Sequence, residues 1–525
     1  MKLKKTLGVH HVFSIAAGAM VSSGIFILPG LAFARTGPSV FLSYGLAGLV
    51  AFIGVLSVIE LATAMPRAGG DYYFIGRTFG PLMGSVTGLL SWTALTLKTA
   101  FAVFGLSEIL VVLTGIDGRI WGLVLTGVFV TLNLVGVEET AGVEVVLVSM
   151  LILIMGAFII LGFGRIEAAR FTPFFAVDAN GMVATAAFVF VAYGGLLQIA
   201  TVSEEVKRPQ TDIQRGTFAA VIVVTVLYVG VVAVTTGLLP AESFRRSFTP
   251  VADAAEILGG RPAWIVVSVG AALAFITTGL AGLMAASRYP LALSRDRLLP
   301  GLLSRTSRKR GIPATSVLLT GLLVILALQV NLEFLVKSAS AVFMVNTILA
   351  NVAVIVLRES RLSHYRPLYR APMYPWTQLA SILIFLFLLA DMGPAVFGTA
   401  LLFVLFGILV YRFYGRRRAD HDFALVHLLK RLVDSRWRDE GLDEELLDIL
   451  RHRDRPAGLR ESGVLDSMVV ADLDEQTTPE SLRIRASQDL AGILEVSPKM
   501  IVDALRRREA EVAPAINRFT AIPTR

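Results

Sequence analysis

The chain has 525 residues, 55% hydrophobic and 17% charged, with a mean hydropathy of +0.70. A soluble fold cannot cover that much apolar surface, so composition selects a polytopic membrane protein, and the absence of cysteine excludes disulfides and thiol chemistry. The formal charge of +8 is uneven: residues from Asp420 onward carry 16 Lys and Arg against 21 Asp and Glu, the preceding part 32 against 19. Basic residues at membrane edges set orientation and require no nucleic-acid partner.

The start, MKLKKTLGVHHVF, puts basic residues before an apolar run without a small-residue cleavage site, and reads as a retained first helix. A spanning helix needs about 20 apolar residues. Twelve segments qualify, at roughly 10–33, 39–64, 80–113, 119–137, 142–163, 181–203, 215–239, 262–292, 313–332, 335–357, 375–391 and 394–414. Alternate loops concentrate Lys and Arg, from Arg67 and Arg77 through Lys207, Arg208 and Arg215 to Arg295–Arg310 and Arg358–Arg370. Lys2, Lys4, Lys5 and Arg416–Arg418 fall on that same side, so both termini are expected in the cytoplasm.

The first segment contains GAMVSSGIFILPG, with Ser22, Ser23 and Gly24 near its middle. Ser bonds back to the backbone and Gly is a poor helix interior residue, so the helix is expected to break there. In hydrocarbon a break is tolerated only where the freed groups meet protein, a cavity or a ligand. The sixth segment has a matching interruption, Tyr193-Gly194-Gly195. If helices one to five repeat as six to ten in inverted order, the two breaks are equivalent. The free N–H groups of Ser23, Gly24, Ile25 and Phe26, at the positive end of a half-helix, suit a carboxylate. The carbonyls near Ala19 and Met20, and near Val191 and Ala192, suit an ammonium group. Together they describe an α-amino acid site, with Tyr193 or Phe190 able to gate it. Small residues also permit close helix packing, but that reading is the weaker one for two runs at matching positions.

Lys98 stands near the middle of the third segment. An ionised Lys at mid-bilayer costs about 2.5–3.5 kcal/mol on insertion scales, so it should face a cavity or a partner. Its roles are proton carrier or electrostatic stand-in for an ion; the bland alternative is snorkelling or pairing with free carbonyls. A fixed positive charge there disfavours cationic substrates. With Phe275 and Leu196 near the breaks, a neutral, apolar side chain is expected. Glu60 and Glu108 lie near helix ends, while Asn133, Asn346 and Asn351 should bond between helices.

After Arg418 the composition changes. Helical patterns at DHDFALVHLLKRLVD and DEELLDILRHRD, a strand at VLDSMVVADLDE, and helix starts at Thr478-Pro479-Glu480 and Ser497-Pro498 suggest a small cytoplasmic α/β domain. The expected division is a membrane domain, 1–415, and an accessory domain, 416–525.

Four motifs resemble the amino acid–polyamine–organocation (APC) superfamily over about residues 8–415: GAMVSSGIFILPG, ELATAMPRAGGDYYFIGRTFGPLMG, FVFVAYGGLLQIATVSEEVKRPQTDIQRG and TTGLAGLMAASRYPLALSRDRLLP. The resemblance implies an all-α fold with a 5+5 inverted repeat like that of sodium-coupled leucine transporters, and alternating-access amino acid transport. Ser22 stands where the family usually has Gly. Leu197 replaces a Glu that in some members senses protons or contacts substrate. The fifth segment lacks the Lys that some proton-coupled members carry at the equivalent of a sodium site. Thr277 and Thr278 align with the Ser/Thr pair lining that site in sodium-dependent relatives. The last part of the tail resembles the N-terminal portion of phosphotransferase-system enzyme IIA domains. There an Ala-Ile-Pro-like segment precedes the phosphorylated His; here Thr524 follows Ala521-Ile522-Pro523, so no phosphotransfer is expected.

The expected function is secondary active transport of neutral amino acids at a cell (inner) membrane, coupled to protons and with no cofactor or metal. Alternatives are sodium coupling, ion-independent exchange, or an amino acid sensor signalling through the tail, which also offers a surface for homo-oligomers. No nucleophile–base set or metal cluster marks an enzyme.

Overall fold

The computed structural model describes residues 7–21, 23–66, 70–135, 141–175, 179–197, 199–200, 203–306, 312–362, 365–416, 423–426, 515–517 and 520–521. The chain divides into two compact units, Met1–Arg453 and Asp454–Arg525. Within the second, the described residues form a short antiparallel pair, β1 (Ala515–Asn517) and β2 (Thr520–Ala521). The tail helices, the strand near Val469 and the α/β domain expected from sequence lie outside the described residues.

The first unit is a helical bundle. In chain order its helices are α1 (Val9–Met20), α2 (Ser23–Phe26), α3 (Leu28–Thr36), α4 (Val40–Ala64), α5 (Asp71–Phe79), α6 (Pro81–Thr114), α7 (Gly118–Val135) and α8 (Ala141–Phe163). There follow α9 (Ala179–Val189), α10 (Gln214–Leu238), α11 (Ala241–Arg246), α12 (Pro250–Arg295), α13 (Ala314–Ala327), α14 (Leu332–Ser360), α15 (Trp376–Asp391) and α16 (Pro394–Val410). Among the described residues, each of the twelve apolar segments overlaps one or more of these helices. Among the described residues, eight helices are long and apolar enough to cross a membrane, and four more apolar helices are shorter. Two of the shorter ones are what a broken helix leaves: Val9–Met20 and Asn180–Leu196.

Local chemistry sets the boundaries. Pro81 opens α6 after Gly80, and Gly115 ends it in the left-handed conformation (φ 72°). The Asn331 side chain caps α14 by accepting from Phe334 N at 2.7 Å. Large apolar side chains remain exposed around the bundle, among them Leu153, Ile160, Leu383 and Phe413. In a water-soluble protein so many would be anomalous; here they are the surface that lipid covers.

Helices α6 and α14 run through the interior, α6 packing along α12 and α14. Asn346 Nδ2 on α14 donates to Ser91 Oγ on α6 at 2.8 Å, and Ser57 Oγ on α4 donates to Asn351 Oδ1 at 2.8 Å. Asn133 reaches Leu280 O at 3.5 Å and its own helix, at Phe129 O, at 2.9 Å. At the C-terminal end of α14, Arg358 makes a two-pronged contact with the fully buried Glu60 of α4, at 2.7 and 2.5 Å. Tyr365 and the Ala371 N–H also donate to that carboxylate. Sequence placed Glu60 blandly at a helix end; its partners come from some 300 residues away.

Arg358→Met would leave the Glu60 charge buried and unpaired. The expected loss is about 3–5 kcal/mol of stability, read as a clear fall in Tm of the detergent-solubilised protein; an unchanged Tm would show the pair to be dispensable.

Candidate substrate and ion site

The first break forms where the small residues predict it. Helix α1 ends at Met20, Val21 leaves helical geometry (ψ 79°), and the chain resumes as α2 at Ser23. Ser22 and the Ser23 side chain lie outside the described residues. The end of α1 releases carbonyls, and each of the two expected to face a ligand has a donor from the protein itself. Lys98 Nζ on α6, buried, donates to Ala19 O at 2.5 Å. Tyr228 OH on α10 donates to Met20 O at 2.6 Å, and Tyr44 OH on α4 donates to Gly24 O at 2.9 Å. The amine at the end of α1 is the side chain of Lys98.

In helix six the α-helical pitch ends at Val189, and a 3₁₀ helix continues over Phe190–Leu197. That stretch has the Tyr193-Gly194-Gly195 run at its middle. Its cause is a tertiary bridge: Ser340 Oγ on α14 accepts from Val191 N at 2.9 Å and donates to Phe188 O at 3.0 Å. The glycines serve contact instead. A methyl group on Gly195 would fall 2.7 Å from the Ala19 carbonyl carbon, and one on Gly24 would fall 2.5 Å from Ala192 Cβ. The two breaks lie against each other, backbone on backbone, and only glycine permits the approach.

The structure brings together Ala19, Met20, Gly24, Ala192 and Gly195, with Lys98 beside them. Ile25 and Phe26 are buried next to them, the Phe26 ring edge-on to Phe275 of α12 at 6.0 Å. Tyr193 belongs to a cluster with Tyr44 and Tyr228: each packs edge-on to Tyr228 at 5.4 Å, and Tyr193 OH donates to Tyr44 O at 3.0 Å. Phe190 and Gly194 are not brought to the first break. The Phe190 ring lies against Phe385 of α15 at 5.1 Å, and Gly194 lies against Phe343 of α14. Thr277 Oγ1 donates to Ala274 O at 3.1 Å, whereas the buried Thr278 hydroxyl has no hydrogen-bond partner among the described residues.

Contacts beyond the breaks join segments on either side of them. Leu7, just before α1, pairs with the segment after helix six: Leu7 N donates to Glu205 O at 3.0 Å, and Lys207 N donates to Leu7 O at 2.8 Å. Arg35 of α3 pairs with Glu333, in the first turn of α14, and its guanidinium lies 4.2 Å from the Phe188 ring centre. Lys337 shares Glu333 at 2.8 Å. Asp71 of α5, fully buried, accepts from Ser91 Oγ at 2.6 Å and Tyr289 OH at 2.8 Å. Burial pushes its carboxyl above the ordinary range, opposed by those two hydrogen bonds. Sequence reasoning missed Tyr44, Tyr228, Ser340 and Asp71: a single polar residue on an apolar helix carries no signal of what it will meet.

Among the described residues no group of His, Cys, Asp and Glu is placed to hold a metal. The site lies in a helical bundle of membrane type, where two helix breaks face each other. The family model for amino acid permeases matches residues 7–414, and the chain belongs to that family. It is a membrane transporter, not an enzyme. Among similar proteins are a branched-chain amino acid permease (BcaP) of Bacillus subtilis, 28% identical over 79% of this chain and 94% of its own, and a methylthioribose transporter of the same organism, 29% identical over 79% and 95%. A chloroplastic cationic amino acid transporter of Arabidopsis thaliana is 29% identical over 58% of this chain and 57% of its own.

Gly195→Ala forces the two breaks apart, at an overpacking cost of about 1–3 kcal/mol. Normally expressed Gly195→Ala protein in proteoliposomes should lose about tenfold or more in uptake; wild-type uptake would mean that the contact is not used in the transport cycle.

Proposed function

We propose that the chain is a secondary active transporter of neutral, apolar amino acids, coupled to protons and working by alternating access. The observation that carries this reading is the hydrogen bond from Lys98 to Ala19 O at the broken end of α1. The N–H groups at the start of α2, Ser23 to Phe26, bind the substrate carboxylate. Carbonyls of helix six near Val191 and Ala192 bind the ammonium. Phe26 and Phe275 shape an apolar side-chain pocket. Lys98, fixed beside this site, repels a cationic substrate.

Coupling follows from the same bond. Protonated Lys98 holds Ala19 and with it the end of α1. Once deprotonated, its amine loses the charge-assisted part of that bond, and α1 is free to swing from helix six. In the full reading the twelve apolar segments cross the membrane as a 5+5 inverted repeat plus two, both termini are cytoplasmic, and residues 416–525 form an accessory domain. The Glu60–Arg358 contact then closes the cytoplasmic side and Arg35–Glu333 the opposite side. One observation favours a second reading, sodium coupling: the buried, unpartnered Thr278 hydroxyl beside Thr277.

The test is uptake of labelled leucine into proteoliposomes, in sodium-free buffer, with an inward proton gradient. The expected result is accumulation that a protonophore abolishes, and a Lys98→Met protein that folds but no longer accumulates leucine in response to the gradient. Accumulation that needs sodium and ignores the protonophore would replace this reading with the second. Lys98→Met with unchanged pH dependence would leave Lys98 as a structural charge.

A further inference from the structure

Helix α12 is interrupted near its start. Gly259 (φ −141°, ψ 19°) and Gly260 (φ 65°, ψ −161°) leave helical geometry, and Pro262 follows as the helix resumes. The left-handed φ at Gly260 is one that glycine adopts without strain. The displaced turn opens a groove of about 640 Å³ against α8, walled by Leu153, Ala157 and Leu161 on one side and by Leu258 and Val266 on the other. That volume lies within the roughly 300–1,000 Å³ usual for ligand pockets. Its walls are apolar and open onto the exposed surface of the bundle, where Leu153, Leu161 and Val266 are more than half exposed. The groove therefore faces hydrocarbon.

One end of the groove is charged. Arg165, just beyond α8, lines it and donates from Nη1 to Leu258 O at 3.0 Å, satisfying a carbonyl at the interruption. This uses one of five guanidinium N–H donors. Arg261 lies between the lining residues Gly259 and Pro262, its guanidinium 4.2 Å from the Trp264 ring centre. Among the described residues neither arginine has a carboxylate partner, whereas the neighbouring Arg170 is engaged by Glu167 at 2.9 and 3.0 Å. An apolar trough in the bilayer ending at two unneutralised guanidinium groups has the polarity of a phospholipid laid along it.

We propose that this groove binds an anionic membrane phospholipid, one acyl chain lying between α8 and α12 and its phosphate and headgroup resting on Arg165 and Arg261. Bidentate recognition of phosphate is the geometry guanidinium suits best. The lipid would fill the gap at the α12 interruption and hold the start of helix eight against helix five.

The test is native mass spectrometry of the full-length protein in mild detergent with added phosphatidylglycerol or phosphatidylcholine of equal chain length. Wild type should retain phosphatidylglycerol in preference, and Arg165→Gln or Arg261→Gln should each weaken its retention about fivefold, the contribution of one basic residue near an anionic lipid. Ala157→Phe, which fills the groove without touching the charge, should reduce retention of both lipids. Phe406→Ala, on the lipid-facing surface of α16, should change neither. Equal retention of the two lipids by wild type, or a preference that survives both arginine substitutions in folded protein, would reduce the groove to ordinary annular contact. Should an arginine variant fail to fold, undiminished binding by Ala157→Phe overturns the proposal by itself.

Discussion

A helix interrupted inside a bilayer leaves backbone groups that hydrocarbon cannot satisfy, and the interior of this protein is arranged around meeting that demand. Three helices send donors to the first break: Lys98 from α6, Tyr228 from α10 and Tyr44 from α4. A fourth, α14, holds helix six through Ser340. Each bond is worth little in isolation, but an unmet buried carbonyl costs more than a bond gains, so these partners fix where each break sits. Lys98 differs from the other two in being an amine donor, where Tyr228 and Tyr44 donate through hydroxyls.

Helix α14 ties these features together. Its first turn carries Glu333, paired with Arg35 beyond the first break, and its last turn carries Arg358, paired with Glu60. An acid at the start and a base at the end both suit the helix dipole. Between them, Ser340 holds helix six, Phe343 packs on Gly194, and Asn346 joins Ser91, which bonds to Asp71. One helix thus carries contacts at both of its ends and to one of the breaks.

Much of this was legible in the sequence. Among the described residues each of the twelve apolar segments is largely helical, because length and hydropathy leave few alternatives in a chain of this composition. The first break was legible from Ser22 to Gly24, since that tripeptide has no reason to occupy a lipid-facing helix. The second was legible as an interruption around Tyr193-Gly194-Gly195, which lies within the 3₁₀ stretch Phe190–Leu197, but the part played by Ser340, about 150 residues away in sequence, was not. Gly195 announced a special position correctly, but what it provides is room for Ala19. The donors at the carbonyls were illegible for a different reason: Tyr44 and Tyr228 look like any membrane aromatic until the helices are assembled. The same holds for Glu60, whose partners all lie beyond residue 357.

A substrate bound between the two breaks, as proposed, would shield Ala192. The chain has no cysteine, so a single Ala192→Cys change reports that position alone. Ala192 is buried against Gly24 when the breaks are closed, and should react with a membrane-permeant thiol reagent only as they part. The measurement is the labelling rate in membranes, with and without leucine, isoleucine or arginine. Leucine and isoleucine should slow labelling severalfold, and arginine should not. Labelling indifferent to every amino acid, in a protein that still transports, would place the substrate somewhere else.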